Sequence, residues 1–281
     1  MHMARIEYPW GDIMRFAKMQ AYGNDYVYVI AFGREPACLP RLARFCSDRR
    51  RGIGADGLIV ICDSEKCDIR MRVFNPDGTE AEMCGNALRS AAALVRMKGM
   101  VCKDAVTVET LGGKRSVEIL SLQGGLCRAR SDLGEPSALT RRDSPETVCG
   151  MSFSPTALTI GNPHIVVRIE DVKDLEIKKY GAALEKSDYF PNGANVHFYC
   201  QSQRGTLNVR SWERGCGETL SCATGAAAVF AVARGGGLCG DRAQVAHPGG
   251  TLLAEAEGGH IFITGETRLV YEGELLPENI V

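Results

Sequence analysis

No apolar run in the sequence approaches the roughly 18 residues that cross a bilayer, so nothing in it reads as a membrane span. Positive charge is not concentrated either. The longest basic run is Arg49-Arg50-Arg51 and the formal net charge is −1, which argues against a nucleic-acid partner and for a small-molecule ligand. The opening stretch, MHMARIEYPWGDIM, lacks the charged-then-apolar order of a secretion signal. That predicts a cytoplasmic protein starting at Met14, with residues 1–13 an extension. The 12 cysteines include no C-x-x-C pair and no paired zinc spacing, so a metal site and a dithiol redox site are not expected. A disulfide scaffold is not expected in so long a chain without a secretion signal. Ten of the cysteines read as small buried hydrophobes; Cys84 and Cys222 stand apart.

What is present suits a folded enzyme. The 281 residues, 45% hydrophobic and 24% charged, suffice for one large core or two smaller ones. Shifting the chain by 138 residues, the separation of Cys84 and Cys222, lays Gly23-Asn24 on Gly161-Asn162. The same shift puts Glu80 on Glu218, Arg96 on Arg234 and Gly99 on Gly237, and it matches the segment from Gly54 with that from Asn192. One offset across separate landmarks predicts two equivalent halves, 14–132 and 133–267, with 131–152 as the polar link.

In the first half, strands are expected over 16–32, 58–62 and 69–74, with helices over 40–51 and 85–98 and a hairpin turning at Gly112-Gly113. The second half repeats the order: strand 157–169, helix 175–187, strands 195–200 and 206–212, helix 223–234, and a hairpin at Pro248-Gly249-Gly250. The segment ATGAAAVFAVA, Ala223 to Ala233, carries no charge on any face and must be buried all round. Its counterpart around Ala91-Ala92-Ala93 is nearly as apolar. Each half therefore reads as α/β, a mostly antiparallel sheet or barrel wrapped around a central helix, with a cleft between the halves. Each central helix starts immediately after a cysteine.

That position carries chemistry. A helix start leaves unpaired N–H groups and about half a positive charge, which favours thiolate and holds a carboxylate. Two facing halves place Cys84 and Cys222 across one cleft. A substrate α-carboxylate there can take donors from Gly85 and Asn86 on one side and from Ala223 and Thr224 on the other. Loading it stabilises the carbanion left when the α-proton departs. One thiolate removes that proton and the opposite thiol delivers another, so the centre inverts without a cofactor. Glu213, the counterpart of Asn75 in the other half, suits a substrate ammonium, Arg214 a second carboxylate, and Asn24, Asn162 and Asn195 a zwitterion. Each also has a plainer reading: the asparagines as caps and turns, Glu213 with Arg214 as a structural ion pair, His164 as a hydrogen-bonded core residue. The string Gly52-Ile53-Gly54-Ala55-Asp56-Gly57 fits G-x-G-x-x-G but follows a helix and precedes a strand, the reverse of a dinucleotide site.

FAKMQAYGNDY at 16–26, MCGN at 83–86, GNPH at 161–164 and ERGCGET running into SCATGA at 213–226 together resemble the signatures of the diaminopimelate epimerase family. The resemblance runs in order from Met14 to about residue 272. It implies a pyridoxal-independent isomerase that interconverts LL- and meso-diaminopimelate in lysine and peptidoglycan-precursor synthesis, with Cys84 and Cys222 as the acid/base pair. It also implies substrate contacts from Asn24, Asn75, Gly85, Asn86, Asn162, Asn195, Glu213, Arg214, Ala223 and Thr224, and His164 and Glu213 as residues tuning the thiols. No cofactor or metal is implied. The implied fold is two similar domains, with a final strand, 268–281, returning to the first, and a homodimer. Three positions depart from the family pattern: Ala87 and Ala223 where glycines are usual, and Gly57 where some members have a substrate-contacting glutamine. Alanine tolerates positive φ poorly, so the helix starts and the pocket can differ from the family's. Two other readings stand beside this one: a two-cysteine racemase for another amino acid and, more remotely, a thiol-redox or metal-binding protein.

Overall fold

Two turns 138 residues apart divide segments that alternation reads as single strands. Tyr22 and Gly23 (φ 55° and 83°) break the 16–32 stretch, and Gly161 (φ 75°) breaks 157–169. A left-handed residue in the middle of a run ends the strand and returns the chain as a hairpin. Gly161 has a second constraint: a Cβ there would lie 2.1 Å from the Sδ of Met83 in the other half. The computed structural model describes residues 14–138, 140–141 and 145–276; the extension 1–13, the last residues 277–281 and part of the link lie outside the described residues.

The first half runs β1 (Met14–Ala21), β2 (Asn24–Ile30), α1 (Leu39–Ser47), β3 (Leu58–Cys62), β4 (Ile69–Phe74), β5 (Glu80–Ala81), α2 (Gly85–Met97), β6 (Ala105–Thr110), β7 (Gly113–Gln123) and β8 (Leu126–Asp132). After the short strands β9 (Thr140–Arg141), β10 (Glu146–Val148) and β11 (Met151–Phe153), the second half begins with β12 (Thr156–Ile160) and β13 (Asn162–Arg168). It continues with α3 (Ile177–Glu185), β14 (Asn195–Gln203), β15 (Thr206–Glu213), β16 (Gly217–Thr219), α4 (Ala223–Gly235), β17 (Arg242–His247), β18 (Gly250–Glu257) and β19 (His260–Leu275). Helix α1 stops at Ser47, short of the expected Arg51, because the Asp48 carboxylate takes the amides of Arg50 and Arg51 into a turn.

Strands β1, β2, β3, β4, β6, β7, β8 and β19 pair in a closed ring, parallel at β2–β3 and β4–β6 and antiparallel elsewhere. The second half repeats that pattern through β12, β13, β14, β15, β17, β18 and β19, with parallel pairs at β13–β14 and β15–β17. Beyond β8, Leu133 N–H donates to Ile261 and Ser137 N–H to Thr159, carrying the chain toward β12. β19 serves both halves: its beginning pairs with β18 and its end, from Arg268 to Leu275, with β1.

Helix α2 fills the closed ring, and α4 packs against β12, β13, β14, β15, β17, β18 and β19 of the second half. Residues 85–95 of α2 are all buried, as are 223–230 of α4 with Val232 and Ala233. The alanine-rich surfaces let strands close in, while Phe230, Val229, Leu88 and Leu94 supply the bulk, each about 1.5–3 kcal/mol of burial. Residues of both helices belong to one apolar core, which brings their starts together.

Candidate active site

Cys84 and Cys222 occupy equivalent positions, each the extended residue that caps a central helix (φ −135° and −128°). The two starts touch. A Cβ on Gly85 would lie 2.9 Å from the Cβ of Ala223 and 3.4 Å from the amide nitrogen of Thr224. Asn86 also donates from Nδ2 to the Ser221 carbonyl across the junction, at 3.0 Å. Ala223 therefore has room because its neighbour is a glycine. Neither Ala87 nor Ala223 is among the described residues with positive φ, so both departures from the family pattern fit ordinary helical backbone.

The surroundings of the two sulfurs differ. Cys222 Sγ accepts the amide of Gly225 (3.3 Å), lies 3.5 Å from the Thr224 hydroxyl and donates to Glu213 Oε2 (3.2 Å). Glu213 Oε1 accepts from the Thr219 hydroxyl. Cys84 Sγ has Asn24 Oδ1 as its acceptor at 3.7 Å. Burial first, and then the charge of Glu213, push both thiols above the ordinary cysteine range, Cys222 farther. Amide and hydroxyl donors act in the opposite direction: Ala87 and Asn86 amides and the Tyr26 hydroxyl at Cys84, Thr224 and Gly225 at Cys222. Burial also raises Glu213, which makes it a better proton acceptor for the thiol it touches.

A cavity of about 40 Å³ lies beside the abutting helix starts. From the first half Asn24, Asn75, Gly85 and Asn86 line it; from the second, Asn162, Asn195, Glu213, Arg214, Ala223 and Thr224. Arg214 pairs with Glu82 of the first half at 2.8 Å, not with Glu213, and its amide donates to Asn195 Oδ1. Asn24 Nδ2 donates to Asp56, and Asn75 Nδ2 to Thr79. Among the described residues no three His, Cys, Asp or Glu side chains are arranged to hold a metal ion.

Two expected residues lie elsewhere. His164 is fully buried and reaches neither sulfur: Nε2 bonds Asn162 Oδ1 (2.7 Å) and Nδ1 bonds His197 Nε2 (2.9 Å). Burial drops its pKa to about 3, so it is neutral. Asn162 Oδ1 only accepts, which puts the His164 proton on Nε2. His197 then donates to His164, and Ser211 to His197 Nδ1 (2.8 Å). The chain fixes the side chain of Asn162, which borders the cavity, and His164 itself touches neither thiol. Gly57 also lies outside the cavity; a Cβ there would meet the Phe74 carbonyl at 2.4 Å and the Tyr26 ring at 2.8 Å, leaving no room for a longer side chain.

Other residues were not expected. Tyr26, Glu82, Met83 and Cys216 line the cavity. Cys216, inside ERGCGET, corrects the reading of ten cysteines as buried: it is exposed, as are Cys38, Cys102 and Cys149. Its place within the motif was the available signal.

A family model described as diaminopimelate epimerase matches residues 16–139 and 156–270. Relatives described as diaminopimelate epimerase include one from Methanococcus maripaludis, 38% identical over 93% of this chain and 99% of its own length. Another, from Desulforudis audaxviator, is 42% identical over 93% of this chain and 99% of its own. Among solved structures, a hydroxyproline epimerase from Agrobacterium vitis with bound trans-4-hydroxy-L-proline superposes with a TM-score of 0.75, covering 97% of this chain and 95% of its own at 15% identity. At that identity the likeness concerns the fold.

Proposed function

The chain belongs to the diaminopimelate epimerase family, and from that membership we propose how it interconverts LL- and meso-diaminopimelate. The substrate's α-carboxylate lies between the abutting starts of α2 and α4, where the amides of Gly85, Asn86, Ala223 and Thr224 converge. Negative charge developing on that carboxylate as the α-proton leaves meets donors already in place. Cys84 and Cys222 face the α-carbon from opposite sides; one accepts its proton while the other returns one to the far face. Glu213, 3.2 Å from Cys222, is the carboxylate through which that thiol exchanges its proton. Arg214 takes the distal carboxylate, exchanging Glu82 for it, while Asn75 and Asn162 hold the remaining polar atoms.

The observation that carries this reading is the contact of the two cysteine-capped helix starts at Gly85 and Ala223. A cavity of about 40 Å³ holds one to three waters, so the substrate enters as the halves, 14–132 and 133–267, separate. Residues 268–275 tie the second half back to the first. We place the enzyme in the cytoplasm; no described helix is long and apolar enough to cross a membrane. We place it as a homodimer, for which the exposed Val270 and Tyr271 of β19 offer apolar surface.

The test is incubation of the purified protein with LL-diaminopimelate in deuterated water, without added cofactor. The meso isomer should appear carrying one deuterium at the inverted carbon, and neither Cys84→Ala nor Cys222→Ala should form it. Inversion without solvent deuterium, or full activity in either variant, overturns the two-thiol mechanism.

A further inference from the structure

Arg89 is 0% exposed, five residues past Cys84 on the inner face of α2. Its guanidinium donates to the Gly85 carbonyl at 3.1 Å and to Asn86 Oδ1 at 2.6 Å, and its Nε has no hydrogen-bond partner. Among the described residues no carboxylate pairs with it. The titratable groups that face it are Tyr22, Tyr28, Cys84 and Cys127. Tyr28 and Cys127 are pushed upward by burial, Cys127 to about 11, so neither supplies an anion near neutral pH. A guanidinium stays charged when buried, and an unpaired buried charge is strongly disfavoured. Ordinary packing does not account for it.

Its position does. Both of its acceptors belong to Gly85 and Asn86, the residues that open α2 and border the cavity. Through Asn86 the polarisation continues: Asn86 Nδ2 donates to Asn24 Oδ1 at 3.3 Å, and that oxygen is the acceptor of the Cys84 thiol. The equivalent position in the second half is Ala227. The α2 start has this cation beneath it, whereas the α4 start has the carboxylate of Glu213 against its thiol.

We propose that Arg89 is a positioning residue whose standing, unpaired charge serves the anions that form above it, the substrate carboxylate at the start of α2 and the Cys84 thiolate. The two thiols are then unequal, and Cys84 ionises first. This rests on the proton-transfer reading of the cysteines given above. The charge also weakens the unliganded fold, so its removal should cost reactivity and spare stability, the opposite of a structural arginine.

The test is alkylation of the unliganded protein by iodoacetamide across pH, read at Cys84 and Cys222 by peptide mapping, in wild type, Arg89→Met and Arg89→Lys, with thermal melts of each. Cys84 should react with the lower pH midpoint in wild type. In R89M that midpoint should rise by roughly one pH unit, Cys222 should stay in place, and the melting temperature should not fall. R89K, which keeps the charge, should stay close to wild type. A folded R89M whose Cys84 profile is unmoved, or moves together with Cys222, overturns the proposal, as does Cys222 ionising first in wild type. An R89M with no cooperative melt also overturns it, since the charge is then structural, and so does an R89K whose Cys84 midpoint rises by about a unit. Alkylation needs no substrate, so the result stands apart from whether diaminopimelate turns over.

Discussion

At the scale of single residues, Glu213 acts on Cys222 in two opposed ways. Its charge holds the thiol above the ordinary range, yet its Oε2 is the acceptor through which the proton can leave. Glutamine preserves the shape and removes both effects. Glu213→Gln should therefore shift the alkylation midpoint of Cys222 to lower pH while kcat falls by roughly 10²–10⁴, the usual contribution of a placed acid or base. A midpoint that rises, or an unchanged kcat, removes Glu213 from the exchange. Both partners here were legible in the sequence because each lies in a signature string. Arg89 was not, since an arginine at that spacing on an apolar helix reads as a surface residue until burial is known. His164 was legible as a residue near the site but not in its contact, because His197 and Ser211, which fix its tautomer, lie on other strands.

At the scale of elements, both central helices could be read in advance because uniform apolarity over a dozen residues admits no exposed face. The strands before them were harder. Continuous burial on both sides of Gly23 and Gly161 hides the hairpins that left-handed residues create there, Tyr22 with Gly23 and Gly161 alone. Gly225 shows how closely α4 sits against its strands: a Cβ there would lie 2.2 Å from the ring of His197. Gly225→Ala should displace that ring, with the Asn162 chain behind it, and cost about 1–3 kcal/mol of stability by overpacking. Denaturant titration checks it; a variant as stable as wild type would mean that the ring moves freely.

At the scale of the whole molecule, three histidines are buried in the second half. Burial lowers His164 to about 3, His247 to about 4 and His197 well below its ordinary value. The folded state therefore keeps all three neutral at pH values where the unfolded chain, near 6.5, protonates them. A depressed folded pKa contributes stability that is fully present above the unfolded value and is lost as pH falls toward the folded one. Held neutral down to about 4, His247 alone accounts for about 3 kcal/mol at neutral pH. Glu213 runs the other way: its raised pKa adds stability as pH falls toward the unfolded carboxylate value, so it offsets part of the loss, one carboxyl against three histidines. Unfolding free energy should decline steadily from pH 6.5 to 4. Neither ring nitrogen of His247 has a hydrogen-bond partner among the described residues, so His247→Leu removes a titrating group without orphaning another. Denaturant curves at several pH values should show a shallower acid slope in H247L than in wild type. Equal slopes would mean that His247 takes up its proton in the folded protein as readily as in the unfolded chain.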